Sequence, residues 1–290
     1  MTLLSVDQLS MRFGGIQALL GVSFQVAEGS ITALIGPNGA GKTTVFNCIT
    51  GFYKATSGDI HLGDREGGDL VDLVAVLGEP FAPGDFLHPS RFGRRLFYKM
   101  FGGSHRVARA GVARTFQHVR LFKEMTVMEN LLVAQHRRIN RNIISGVVRT
   151  AAYRQAEAEA VERGHFWLKV FGLEGDLNRL AGELPYGHQR RLEIARAMCI
   201  GPRLICLDEP AAGLNPNETL ELSALIRTLR DEHQVTVLLI EHDMGLVMDI
   251  SDRVVVLDHG EVIARGAPEQ IQNDPKVLEA YLGVSEEESA

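Results

Sequence analysis

The nine residues Gly36-Pro37-Asn38-Gly39-Ala40-Gly41-Lys42-Thr43-Thr44 decide the reading of this chain. They fit G-x-x-x-x-G-K-[ST], a loop that wraps phosphate groups. Its glycines let the backbone turn tightly and aim N–H groups at phosphate oxygens. Lys42 adds a full positive charge able to reach β- and γ-phosphates, and Thr43 offers a hydroxyl to Mg²⁺. The flanks suit the motif: Ile31 to Ile35 is an unbroken apolar run that reads as a buried strand, and Lys42 to Thr50 reads as a helix. The loop therefore stands at a helix N-terminus, where the dipole and unpaired N–H groups favour an anion.

Composition bounds the rest. With 290 residues, 45% of them hydrophobic, the chain is long enough for one large domain or two smaller ones. A net charge of -6 gives no global signal for nucleic acid. No apolar run is long enough to span a membrane. Met1 to Asp7 lacks a basic stretch followed by an apolar core, so no secretory signal is expected. Cys48, Cys199 and Cys206 lie in apolar surroundings without metal-ligand spacing and read as reduced core thiols of a cytosolic protein.

Outward from the loop, Leu3 to Phe13 and Val22 to Val26 alternate like antiparallel strands, with a turn at Gly14-Gly15. From Gly63 to about His105 the chain reads as an inserted surface loop. Its first half is acidic (Asp64, Glu66, Asp69, Asp72, Glu79, Asp85) and its second half basic (Arg91, Arg94, Arg95, Lys99). From Val119 to about Ile200 the pattern is helical, with Trp167, Val170 and Phe171 on one apolar stripe. Continuous apolar runs then return at Leu204 to Leu207, Val235 to Ile240 and Val254 to Leu257, as befits strands buried on both faces of a parallel sheet. A helix from Glu218 to Asp231 between the first two makes a βαβ unit. The acidic tail from Ser285 is expected to be disordered.

Open α/β sheets bind ligands at the C-terminal ends of their strands. Ile31–Ile35 delivers the phosphate loop, Leu204–Leu207 ends in Asp208-Glu209, and Val235–Ile240 ends in Glu241-His242-Asp243. Asp208 suits a Mg²⁺-organising carboxylate, since Mg²⁺ needs only one or two carboxylates beside phosphate oxygens. Glu209 suits a general base for the water that attacks the γ-phosphate. His242 is placed to touch the γ-phosphate and hold that water.

At this point the chain resembles the nucleotide-binding subunits of ABC transporters, over nearly its whole length except the insertion. The resemblance implies an α/β fold: a P-loop NTPase (RecA-like) core with an antiparallel β subdomain and an inserted α-helical subdomain. It divides the chain into 1–62 (β subdomain and phosphate loop), 63–105 (insertion), 106–118 (glutamine loop), 119–200 (helical subdomain), 201–265 (remaining core strands) and 266–290 (C-terminal helix and tail). Phe13 matches the aromatic that stacks on adenine, a buried strand-end aromatic being the competing reading. Gln117, in Arg114-Thr-Phe-Gln117, matches the glutamine that reaches Mg²⁺. Gly213-Leu214-Asn215 matches the loop that crosses the dimer interface, with Asn215 where the family usually has Asp. His242 matches the switch histidine. The family's signature Leu-Ser-Gly-Gly-Gln is here Leu184-Pro185-Tyr186-Gly187-His188, and the helix after it is expected to begin at Gln189. Pro185 brings neither N–H nor hydroxyl to a phosphate.

Within the family the chain looks most like the ATP-binding subunits of bacterial branched-chain amino-acid importers, through Val45 to Tyr53, Arg114 to Phe122, Glu129 to His136 and Ala211 to Pro216. The resemblance implies ATP and Mg²⁺ as cofactors and Mg-dependent ATP hydrolysis coupled to transport. It also implies a head-to-tail pair with a second ATPase (LivF-like, or a second copy), two permease subunits, an indirectly coupled substrate-binding protein, and a peripheral place on the cytoplasmic face of the bacterial inner membrane. An ATPase of the same group serving urea or short-amide import or lipopolysaccharide export stays open, as does a soluble ABC ATPase acting on DNA or ribosomes.

Overall fold

In the computed structural model the described residues are 1–63, 71–77, 103–136 and 150–287, with side chains described through Tyr281. Two sheets form the frame. Strands β1 (Thr2–Phe13), β2 (Ile16–Ala27), β4 (Ser57–Leu62) and β5 (Val71–Asp72) make an antiparallel sheet in the order β2-β1-β4-β5. Strands β3 (Ile31–Ile35), β6 (Val112–Arg114), β7 (Leu204–Asp208), β8 (Thr236–Ile240), β9 (Arg253–Asp258) and β10 (Glu261–Gly266) make the second, in the order β10-β9-β3-β8-β7-β6. Only β10 runs antiparallel in it. The three strands expected to carry the chemistry, β3, β8 and β7, are thus adjacent and point the same way.

Every residue of β3, β7 and β8 is buried, because the sheet is covered on both faces. Alternate residues of a strand face opposite sides. Leu34, Cys206, Leu238 and Ile240 pack toward the antiparallel sheet and α1 (Lys42–Ile49). Ile205, Leu207, Val237 and Leu239 pack toward helices on the other side. Those are α4 (Val127–Ala134), α5 (Ala151–Val170), α6 (Tyr186–Met198) and α7 (Pro216–Asp231), which together contribute Leu131, Leu168, Leu192, Met198, Leu222 and Ile226 to one core. A third cluster joins Ile35, Val254 and Val256 to α8 (Met244–Ile250), α9 (Pro268–Gln272) and α10 (Pro275–Glu287) through Val247, Ile271 and Val277. Among the described residues no helix is long and apolar enough to cross a membrane.

Several elements differ from the sequence-based expectation. Strand β2 starts at Ile16, because its first half pairs with the end of β1 as a solvent-facing ribbon, with Leu20 exposed. Strands β4, β6 and β10 were not expected: β6 is only three residues long, and β10 is a half-exposed edge without an apolar run. The described part of the 63–105 segment is not a solvated loop. Strand β5 extends the antiparallel sheet, and α2 (Leu73–Leu77) packs on β4 and on the helix at Ser104–Arg109, burying Leu73 and Leu77 in the core that also holds Phe46 and Ile49. Its C-terminal boundary falls inside α3 (Ser104–Arg109), whose Val107 joins the same core. The residues Asp64, Glu66, Asp69, Glu79, Asp85, Arg91, Arg94, Arg95 and Lys99 lie outside the described residues. At the C-terminus, α10 continues through Ser285 to Glu287, and residues 288–290 lie outside the described residues.

Candidate functional site

The loop after β3 is built on backbone that only glycine tolerates. Gly36, Gly39 and Gly41 have φ of 145°, 82° and 100°. A Cβ on Gly36 would stand 2.0 Å from the Leu257 carbonyl oxygen, and one on Gly41 would stand 2.7 Å from Leu19 Cδ2. Pro37 and Ala40 are buried, Asn38 and Thr43 are exposed and Thr44 is half-buried. The first helical bond of α1 runs from Val45 N–H to Gly41 O at 3.0 Å, which leaves the N–H groups of Lys42, Thr43 and Thr44 at the helix's open end. Lys42 curls back, and its Nζ donates to the carbonyls of Gly36 and Pro37 at 2.6 and 2.9 Å. Burial lowers its pKa, and the nearby Glu209 carboxylate acts the other way. A buried ammonium hydrogen-bonded, among the described residues, to its own loop's carbonyls, beside a row of open N–H groups, is a donor set that fits a polyphosphate.

The next strand supplies acids. Asp208 closes β7, buried, and its Oδ2 accepts from Arg114 at 2.6 Å. Glu209 follows at φ 46°, a left-handed conformation for a non-glycine residue. Such strain gathers at functional sites. Its Oε2 accepts from Gln117 Nε2 at 2.7 Å and lies 3.8 Å from His242 Nδ1. The structure therefore brings Gln117, Glu209 and His242 together from three separate stretches of chain. The His242 side chain is 66% exposed, open to a ligand rather than packed. An exposed threonine hydroxyl, a buried carboxylate and an amide are hard oxygen ligands of the kind Mg²⁺ takes.

Phe13 ends β1, is 42% exposed and meets Tyr53 edge to face at 5.2 Å between centroids, so it is not a buried strand-end aromatic. The segment Leu184–His188 is folded differently from the expectation. Helix α6 begins at Tyr186, not Gln189, because Pro185 sits at its N-cap, where a missing N–H costs nothing. Leu184 is buried in the helical core. The Tyr186 hydroxyl donates to Ala212 O at 3.3 Å, and its ring covers Gly213, where a Cβ would come within 3.2 Å. Gly187 leaves room for Glu218, and His188 Nδ1 stands 3.3 Å from Asp176. Asn215 caps α7 reciprocally with Glu218. Asn serves an N-cap as well as Asp does, which explains locally why it is tolerated there.

Three site residues escaped sequence reasoning. Arg114, on the short β6, ties Asp208 to Asn47 and Thr50. Arg190, with none of its surface exposed, donates to the carbonyls of Phe116 and Gln117 at 2.7 and 2.6 Å and pairs with Glu193 at 3.0 Å. It thereby fastens the segment bearing Gln117 to α6. Glu241, also buried, accepts from Ala211 N–H at 2.7 Å and His242 N–H at 3.1 Å; burial raises its pKa, and those bonds oppose the rise. Only Glu241 carried a signal, as a carboxylate directly after an apolar strand.

Comparison with known proteins places the chain in a family. The family model described as ABC transporter matches residues 19–212, and one described as branched-chain amino acid ATP-binding cassette transporter matches residues 261–287. The chain is 52% identical to the high-affinity branched-chain amino acid transport ATP-binding protein BraF of Pseudomonas aeruginosa, over 97% of this chain and 98% of that protein. It is 51% identical to LivG, the protein of the same description from Escherichia coli strain K12, with the same coverage of each. The ADP conformation of MJ1267, an ATP-binding cassette of an ABC transporter, superposes with a TM-score of 0.73 at 30% identity, covering 98% of this chain and 99% of that one. By its phosphate loop, its strand order and these relatives, the chain belongs to the ABC transporter family, among its ATP-binding cassettes.

Proposed function

We propose that this chain is the ATP-hydrolysing subunit of an importer for branched-chain amino acids, and that hydrolysis takes place where Gln117, Glu209 and His242 meet beside the loop of residues 36–44. The single observation that carries the chemistry is that meeting: a glutamine bonded to the carboxylate that follows β7, with an exposed histidine 3.8 Å from the same oxygen. The cargo rests on the relatives' descriptions and on the separate match at residues 261–287.

The residues divide the work as follows. The N–H groups of the loop and of α1, with Lys42, bind the β- and γ-phosphates of ATP, and the exposed face of Phe13 carries the adenine. Thr43, Asp208 and Gln117 would hold Mg²⁺, which would supply positive charge to offset that of the phosphates. Glu209 takes the proton of the attacking water, and His242 orients that water against the γ-phosphate. Gln117 bonds the Glu209 oxygen at 2.7 Å in this structure, and a glutamine engaged with a bound metal instead would leave that oxygen free to take the water's proton.

A second ATPase, LivF-like or a second copy, completes the site head to tail, with the segment Leu184–His188 and Asn215 at the shared face. The chain works from the cytoplasmic side of the inner membrane, docked on two permease subunits. The division into β subdomain, core, insertion and helical subdomain belongs to this same reading. Co-purifying the chain with the permease subunits and a second ATPase, reconstituting them in proteoliposomes with a binding protein, and measuring ATP hydrolysis tests it. Stimulation by leucine, isoleucine or valine is expected; stimulation by urea or short amides alone would overturn the cargo.

A further inference from the structure

Arg114 reaches three acceptors through its two terminal nitrogens, while its Nε is buried without a hydrogen-bond partner among the described residues. One terminal nitrogen donates to Asn47 Oδ1 at 2.6 Å and Thr50 Oγ1 at 3.1 Å, and the other to Asp208 Oδ2 at 2.6 Å. The guanidinium carbon lies 5.7, 5.5 and 5.3 Å from the ring centroids of Phe46, Phe52 and Phe116. The side chains of Arg114 and Asp208 are each only 7% exposed. A guanidinium keeps its charge at any working pH, and its fork serves several acceptors at once while its faces stack on aromatics. Asn47 lies on α1 and Thr50 caps it, so the same helix that opens the phosphate loop sets where this charge stands.

We propose that Arg114 is a positioning residue that holds Asp208 as an ion pair and keeps its affinity for a divalent cation low until nucleotide phosphates add their charge. The inference rests on reading Asp208 as a metal-facing carboxylate. A dication approaching that carboxylate meets a fixed positive charge already bonded to it, in a wall where water screens little. Phosphate oxygens in the neighbouring loop tip the balance by supplying negative charge. On this reading Asp208 would hold a divalent cation only together with nucleotide, and without it the carboxylate stays paired with Arg114.

Mn²⁺ titration of the purified full chain, read by electron paramagnetic resonance without nucleotide and with ADP, tests this. Without nucleotide, Arg114→Met is expected to bind Mn²⁺ roughly tenfold or more tightly than the unsubstituted chain, since the repelling charge is gone. Arg114→Lys, which keeps a charge, is expected to stay close to the unsubstituted chain. Adding Asp208→Asn to Arg114→Met is expected to abolish the gain. Arg114→Gln, which keeps hydrogen bonding without charge, gives the same reading if the Met variant does not fold. No gain in either uncharged variant, or an equal gain in the Lys variant, overturns the inference. Asp208→Asn alone separates the two layers: if it leaves Mn²⁺ binding with ADP unchanged, the reading of Asp208 itself fails.

Discussion

Replacing Arg190 by Met is expected to be among the most destabilising single changes in the chain. The side chain is fully buried, so the Met fills most of its volume while removing every donor. The carbonyls of Phe116 and Gln117 lose their partners, and Glu193, itself 2% exposed, loses its ion pair with Arg190 and keeps the Arg120 N–H at 3.1 Å and the charge of Arg196. Breaking a buried ion pair from one side costs about 3–5 kcal/mol, a large share of a typical stability of about 5–15 kcal/mol. The cost depends on pH. Burial already raises the Glu193 pKa, with the Arg120 N–H and the charges of Arg190 and Arg196 pulling it down. Without Arg190 it rises further. A carboxyl whose pKa is higher in the folded state favours folding while protonated, below its unfolded pKa, and that contribution is lost as pH rises through the folded value. The penalty is therefore smaller near pH 5 than near pH 8. Urea unfolding of both forms at the two pH values measures it. The double change Arg190→Met with Glu193→Met is expected to recover part of the loss, because both members of the buried pair are gone, although Arg196 then loses the Glu193 charge beside it. A single-variant loss under about 1 kcal/mol, or a double variant as unstable as the two single losses summed, would refute the reasoning.

Asn215→Ala is expected to cost about 1 kcal/mol in urea unfolding through the lost cap of α7, and Asn215→Asp to cost almost nothing. Cys48 and Cys206 are buried, and burial pushes each thiol up to about 12, so neither is expected to react with a disulfide reagent at pH 8 until urea unfolds the chain.

The legible parts of the fold were those whose physics is local. Strands β3, β7 and β8 are buried on both faces, so their sequences are unbroken apolar runs, and the residue after each run falls at the ligand edge of the sheet. That is why Asp208, Glu209 and His242 could be read from position alone. Strands β6 and β10 hide because three residues, or a half-exposed edge, leave no periodicity to find. Arg114 and Arg190 hide for a different reason: each is defined by partners 94 and 73 residues distant, and an arginine in isolation reads as surface charge. In the signature segment the helix starts three residues earlier than expected, at Tyr186, with Pro185 at its N-cap. Val71–Leu77 misled because a charged, glycine-rich context masked two leucines that join the core beneath the antiparallel sheet.

The central claim is that Glu209 is the base at this site, and Glu209→Gln tests it most directly. The change keeps size and an acceptor beside Gln117 while removing the charge. ATP binding, followed by a fluorescent nucleotide with Mg²⁺, is expected to stay near that of the unsubstituted chain, while turnover in the reconstituted complex falls by about 10²–10⁴-fold. Turnover retained at the unsubstituted rate, with binding intact, contradicts the account.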